Sequence, residues 1–167
     1  MNKREHVINA VVLSVGLAYL THPAGDATTA RAVVGVAVPV VLGALVPDVD
    51  TAFGSHRKTF HNLATLGVFV GYPLYFDNLE LVWIGVATHF VLDLLGSKRG
   101  LALLYPLDSA EFDLPIGVTT GSRYATGVTL AVTAVELAIA AALIAEVPRQ
   151  LLEGGSLLVG RRSTRPR

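Results

Sequence analysis

No cysteine occurs among the 167 residues. Disulfides, thiolate metal ligands and a cysteine nucleophile are therefore excluded. Charge is scarce as well: Asp, Glu, Lys and Arg make up 16% of the chain, where a soluble domain carries about a quarter. Acidic and basic residues balance at 13 each, so nothing points to nucleic acid as a partner. Only three of the basic residues are lysine, while Ala, Val and Gly abound, which fits a GC-rich bacterial or archaeal genome.

What the chain has in quantity is apolar sequence. Hydrophobic residues are 52% of the total, mean hydropathy is +0.56, and the charges fall in short clusters between long apolar runs. A membrane-spanning helix needs about 20 largely apolar residues, with a range of about 17–25. Five runs approach that length: residues 7–23, 28–46, 61–76, 79–95 and 124–147. The expected fold is all-α, an integral membrane bundle of about five transmembrane helices forming one domain over residues 1–147. Residues 148–167 are expected to form a basic tail, interfacial or disordered, because the apolar stretch 151–159 is too short to span and contains Gly154 and Gly155. The start of the chain also resembles a signal peptide with cleavage near Ala27. The unbroken alternation of spans that follows favours a retained first helix.

Orientation follows from Lys and Arg near the helix ends. With the N-terminus inside, one face collects Lys3, Arg4, Arg57, Lys58, Lys98, Arg99 and Arg123, and the other only Arg31 before residue 147. The expected location is the cytoplasmic membrane, multi-pass, with the N-terminus on the cytoplasmic side.

On that topology most of the chemistry gathers on one face. His6 opens the first run, Asp48 and Asp50 follow the second, His56 and His61 precede or open the third, and His89 and Asp93 close the fourth. His89 and Asp93 are four apart and share a helix face. Asp48 and Asp50 are two apart beyond Pro47, which disfavours helix at Val46, and in an extended segment they would point the same way. Imidazoles with carboxylates suit zinc, manganese or iron, zinc and manganese being the leading candidates. An aspartate in a helix as apolar as the fourth run is costly unless it is paired, and a divalent cation would supply the partner.

The same residues carry a family resemblance. Pro47-Asp48-Val49-Asp50, then His56-Arg57 with His61, then His89 with Asp93, then Gly100 and Leu104-Tyr105-Pro106 occur in an order that resembles the membrane-bound metal-dependent hydrolases of the YdjM type. An early histidine is usual there, and His6 matches it. The similarity runs over roughly residues 6–107. It implies a helical membrane hydrolase. The family commonly shows Gly-Phe-Thr-His-Ser around the second histidine, whereas this chain has Lys58-Thr59-Phe60-His61-Asn62. Ser97 stands where a threonine is more usual.

Without cysteine, a metal-activated water is the simplest nucleophile. His56, His61, His89 and Asp93, with Asp48 or Asp50, are expected to hold one or two ions. His6 or a remaining aspartate would be the general base. Arg57 and Lys58 could hold an anionic group or serve as positive-inside anchors. A site at the membrane boundary suggests a lipid or lipid-linked phosphoester substrate. The rivals are a non-catalytic metal-binding membrane protein and a small transporter that also uses Glu136. Asp108, Glu111 and Asp113 read as a solvated loop that might cover the site. Thr126, Thr129, Thr133 and Glu136 share one face of the last run and are expected to look into the bundle.

Overall fold

The computed structural model describes residues 1–54, 57–114, 116–119 and 121–162, without the side chains of residues 53 and 147–162. Helices α1 (Lys3–Thr21) and α2 (Ala27–Leu45) lead to a 3₁₀ turn, Pro47–Val49, and the one-turn helix α3 (Asp50–Phe53). Helices α4 (Leu63–Phe76), α5 (Val82–Gly96) and α6 (Ala125–Arg162) follow. Among the described residues there is no β-strand, only isolated bridges between Ser97 and Val118 and between Leu101 and Phe112. The protein is all-α.

Short polar side chains set the helix starts. Asn2 accepts from the Glu5 amide before α1, Asp26 from the Thr28 and Thr29 amides before α2, and Asn62 from the Thr65 amide before α4. Each satisfies donors that an open helix end leaves bare. The Thr29 and Thr28 amides also hold the Asp26 carboxyl below its ordinary pKa. Because Asn62 is the cap, the helix begins at Leu63, two residues later than expected, and His61 stays outside it. α6 continues past residue 147 to Arg162.

Two helical segments, Ala27–Ala52 and Ala125–Glu146, are long and apolar enough to cross a membrane, and α4 and α5 are apolar but shorter. One local expectation is corrected. Val46 is helical (φ −56°, ψ −49°), and the chain turns on through Pro47 instead of running extended. Proline at the first position of a turn loses no hydrogen bond, since that N–H has no partner there anyway. Asp48 and Asp50 therefore do not project side by side.

The surface is apolar and the interior polar. Val34, Val38 and Leu42 of α2 are 55–63% exposed, as are Val135, Ile139 and Leu143 of α6. Among the described residues, buried polar and charged side chains are as numerous as buried apolar ones. The polar face of α6 meets α1: Thr126 and Thr129 donate to Glu5, and Asn9 donates to Thr133 (2.9 Å) and Glu136 (2.7 Å). α2 and α5 cross where Gly43 faces Gly85. A Cβ on Gly43 would lie 2.0 Å from the Val82 carbonyl oxygen, and one on Gly85 2.0 Å from that of Val40. Backbone cannot yield as a side-chain tip can. Gly43→Ala should therefore lower the melting temperature in detergent, by about 1–3 kcal/mol of stability. Gly35→Ala, with open space around it, should leave the melt unchanged.

Candidate metal centre

Four parts of the chain deliver the centre. α1 brings His6, the 3₁₀ turn Asp48, the residue before the α4 cap His61, and α5 both His89 and Asp93. None of the five residues is more than 6% exposed.

The protonation pattern follows from the acceptors. His89 Nδ1 lies 2.7 Å from the carbonyl oxygen of Ala44, which can only accept, so that nitrogen carries the proton. His61 Nδ1 lies 2.9 Å from Asp50 Oδ2 and is fixed in the same way. A neutral ring protonated at Nδ1 presents a lone pair on Nε2, and the two Nε2 atoms are 3.1 Å apart. Two lone pairs facing each other at that distance repel, so either a proton, shared as an N–H···N hydrogen bond, or a metal ion must stand between them.

Two carboxylates flank the imidazole pair. Asp93 Oδ2 is 3.8 Å from each Nε2, and Asp48 Oδ1 is 3.9 Å from His61 Nε2 and 4.0 Å from His89 Nε2. Ligands about 2.1 Å from a tetrahedral zinc ion stand about 3.4 Å apart. The observed separations, 3.1 to 4.0 Å, bracket that value. These buried groups could hold a metal ion.

Asp50 has a different place from Asp48. It sits behind His61, on Nδ1, where a carboxylate fixes the ring and raises its basicity toward an ion on the other nitrogen. His6 stacks on His89, with ring centroids 3.6 Å apart and planes 6° from parallel. Neither of its ring nitrogens makes a hydrogen bond among the described residues, although Nε2 is 3.4 Å from Asp93 Oδ1. His56 lies outside the described residues.

A family model, described as YdjM inner membrane protein, matches residues 1–153. The chain belongs to the YdjM family. Among curated proteins and among solved structures no match is found. Membership makes this a membrane protein in contact with the lipid bilayer, and the apolar exterior described above is what that setting requires.

The YdjM-type residues that depart from the usual pattern have found partners. Asn62, where the family commonly has serine, caps α4 and donates to the carbonyls of Lys58 and Thr59. Ser97 accepts from Arg57 Nη2 (3.0 Å) and from the Arg99 amide. Arg57 is buried, at 3% exposure, and also donates to the carbonyls of Arg99 (2.6 Å) and Gly100 (3.2 Å). Its Nη2 lies 3.2 Å from Asp93 Oδ1, the oxygen turned away from the paired imidazoles. The Met1 amine lies against that same oxygen. Lys58, by contrast, reaches out to Glu111 of the acidic loop at 3.5 Å, both side chains partly exposed.

Two features were not foreseen from sequence. The Ala44 carbonyl that fixes His89 is backbone and has no signature of its own. Glu5 was missed although it lies four residues from Asn9, and that polar pair on α1 matches the polar stripe of α6.

Removing one partner of a buried ion pair costs about 3–5 kcal/mol, whereas an exposed pair contributes at most about 1 kcal/mol. Arg57→Gln should therefore sharply lower the melting temperature of the detergent-purified protein, and Lys58→Gln should barely change it. Equal shifts for the two variants would contradict this division of roles.

Proposed function

We propose that this protein is a multi-pass membrane protein that binds a divalent metal ion at cytoplasmic helix ends and hydrolyses a lipid or lipid-linked phosphoester there. The observation that carries the reading is the pair of His61 and His89 Nε2 atoms, 3.1 Å apart with both Nδ1 protons committed elsewhere. The buried, unpartnered nitrogens of His6 beside them support it. His61, His89, Asp48 and Asp93 would hold the ion, with zinc or manganese best suited to the nitrogen and oxygen donors. Asp50 would orient His61. Bound there, a divalent ion lowers the pKa of a coordinated water to about 7 and so supplies a nucleophile at neutral pH.

The chain's own residues take the remaining parts. His6, whose Nε2 lies 3.4 Å from Asp93 Oδ1, is placed to accept a proton from that water. Arg57 is held by Ser97, two carbonyls and Asp93, which leaves Lys58 as the cation for an anionic group. Opening the Lys58–Glu111 contact would give substrate a way in. Seven Lys and Arg residues against one favour the cytoplasmic face for the site, with five apolar helices in the bilayer. α1 is retained in this reading, because it supplies His6.

A second reading, an ion that only ties the helix ends together, is favoured by burial: the five side chains of the centre are nearly sealed from solvent. Both readings require the ion. Mass-spectrometric metal analysis of chelator-free, detergent-purified protein should find bound divalent metal, lost in His89→Ala. Wild type without metal would sink both. Asp50→Asn should weaken metal affinity about 10–100-fold in a competition titration. Turnover of phospholipid or polyprenyl phosphoesters in mixed micelles, abolished by His6→Ala, separates enzyme from scaffold. Metal without turnover on any such ester leaves the scaffold.

A further inference from the structure

Proximity alone admits two overlapping ligand groups, one of His6, His89 and Asp93 and one of Asp48, His61 and His89. Both depend on His89. Its Nδ1 proton is spent on the Ala44 carbonyl, so His89 has a single lone pair and can ligate only one ion. The two groups cannot both be filled through it.

Direction decides between them. An imidazole binds a metal close to its own ring plane, about 2.0–2.1 Å from the nitrogen. The rings of His6 and His89 are 6° from parallel with centroids 3.6 Å apart. An ion lying in the plane of His89 is displaced from the plane of His6 by the stacking distance, far off the line of either His6 lone pair. His61 is turned 66° from His89 and meets it edge on, so the planes of these two rings can intersect at one ion. An ion on His89 is therefore shared with His61, not with His6.

A separate ion on His6 lacks ligands. Among the described residues its one carboxylate neighbour is Asp93 Oδ1, an oxygen that already faces Arg57 and the Met1 amine. Among the described residues that leaves two donors, beside the Arg57 guanidinium and the Met1 amine, where a bound ion takes three or four. We infer that the centre takes one ion per chain, on the His61–His89 pair with the flanking carboxylates of Asp48 and Asp93, and that His6 stands outside its ligand shell, its Nε2 beside Asp93. This rests on the metal reading above and adds to it the stoichiometry and the place of His6.

The test is metal content and affinity across three variants, read without any activity assay. Wild type should bind one zinc per chain, counted by mass spectrometry after loading and desalting. His6→Ala, and His6→Gln as the milder change, should keep one ion with affinity within about threefold of wild type in a chelator competition. His61→Ala should lose at least 100-fold. Two ions in wild type, or loss of the ion in both well-folded His6 variants, would overturn the inference while leaving a metal protein. No ion in wild type would instead remove the metal reading itself. Circular dichroism of each variant identifies any that fail to fold. Should both His6 variants unfold, extended X-ray absorption of zinc-loaded wild type takes their place. Two imidazoles in the shell uphold the inference, and three overturn it.

Discussion

Two imidazoles whose Nδ1 protons are committed to fixed acceptors cannot rest with their Nε2 lone pairs 3.1 Å apart unless something positive lies between them. That constraint organises the end of the bundle in which the two rings lie. His89 is aimed by the end of α2 through the Ala44 carbonyl, and His61 by Asp50 just beyond α2. The chain between them has to turn back tightly, which it does through the 3₁₀ turn and α3. Asp48 on that turn and Asp93 on α5 then each stand within 4.0 Å of both Nε2 atoms. In a low-dielectric interior such a group of charges is held in place strongly when complete and is costly when one member is missing.

The rest of the bundle is arranged to make that buried polarity tolerable. Lipid offers no hydrogen bonds, so the valines and leucines of α2 and α6 face outward and the hydroxyls, amides and carboxylates turn in. The α1–α6 seam shows the pattern on a smaller scale, with Asn9 bridging Thr133 and Glu136, and Glu5 accepting from two threonines. Where no side chain is wanted, as at the Gly43–Gly85 crossing, backbones touch directly. Since α2 and α5 carry the partners of His89 at that crossing, its closeness sets how near Ala44 comes to the ring.

The helices were legible in sequence because membrane helices announce themselves by length and apolarity. Their starts moved by a few residues wherever a polar cap, such as Asn2 or Asn62, took precedence over the apolar run. The members of the centre were legible too, because ionisable residues are rare enough in this chain that their clustering on one face stands out. Their roles were less so. Asp48 and Asp50 look equivalent in sequence, and only the turn at Pro47 puts one beside the paired lone pairs and the other behind His61. Arg57 read as an anion-binding residue or a positive-inside anchor, because a count of charges near helix ends cannot distinguish an arginine that snorkels outward from one folded in. The stacking of His6 on His89 depends on how α1 is rotated against α5, and no local pattern encodes that.

Arg57 shows how far the centre reaches into the surrounding backbone. Its φ of 67° is a conformation that side-chain-bearing residues adopt only when neighbours enforce it. Here the enforcement is the guanidinium itself, spread over Ser97 Oγ, the carbonyls of Arg99 and Gly100, and Asp93 Oδ1. The Ala102 amide in turn donates to the Arg57 carbonyl. A lysine could not span that set, because an ammonium is a point charge and lacks the planar fork. By holding one oxygen of Asp93, Arg57 leaves the other aimed at the imidazole pair. By holding the carbonyls beyond α5, it ties the loop that follows to the centre. The acidic loop is paired at Phe112 with Leu101 by two backbone hydrogen bonds and reaches Lys58 through Glu111, so a buried and a partly exposed ion pair belong to neighbouring residues. Water and salt screen the second and not the first, so Arg57 fixes the interior of this region while Lys58 contributes little to its assembly.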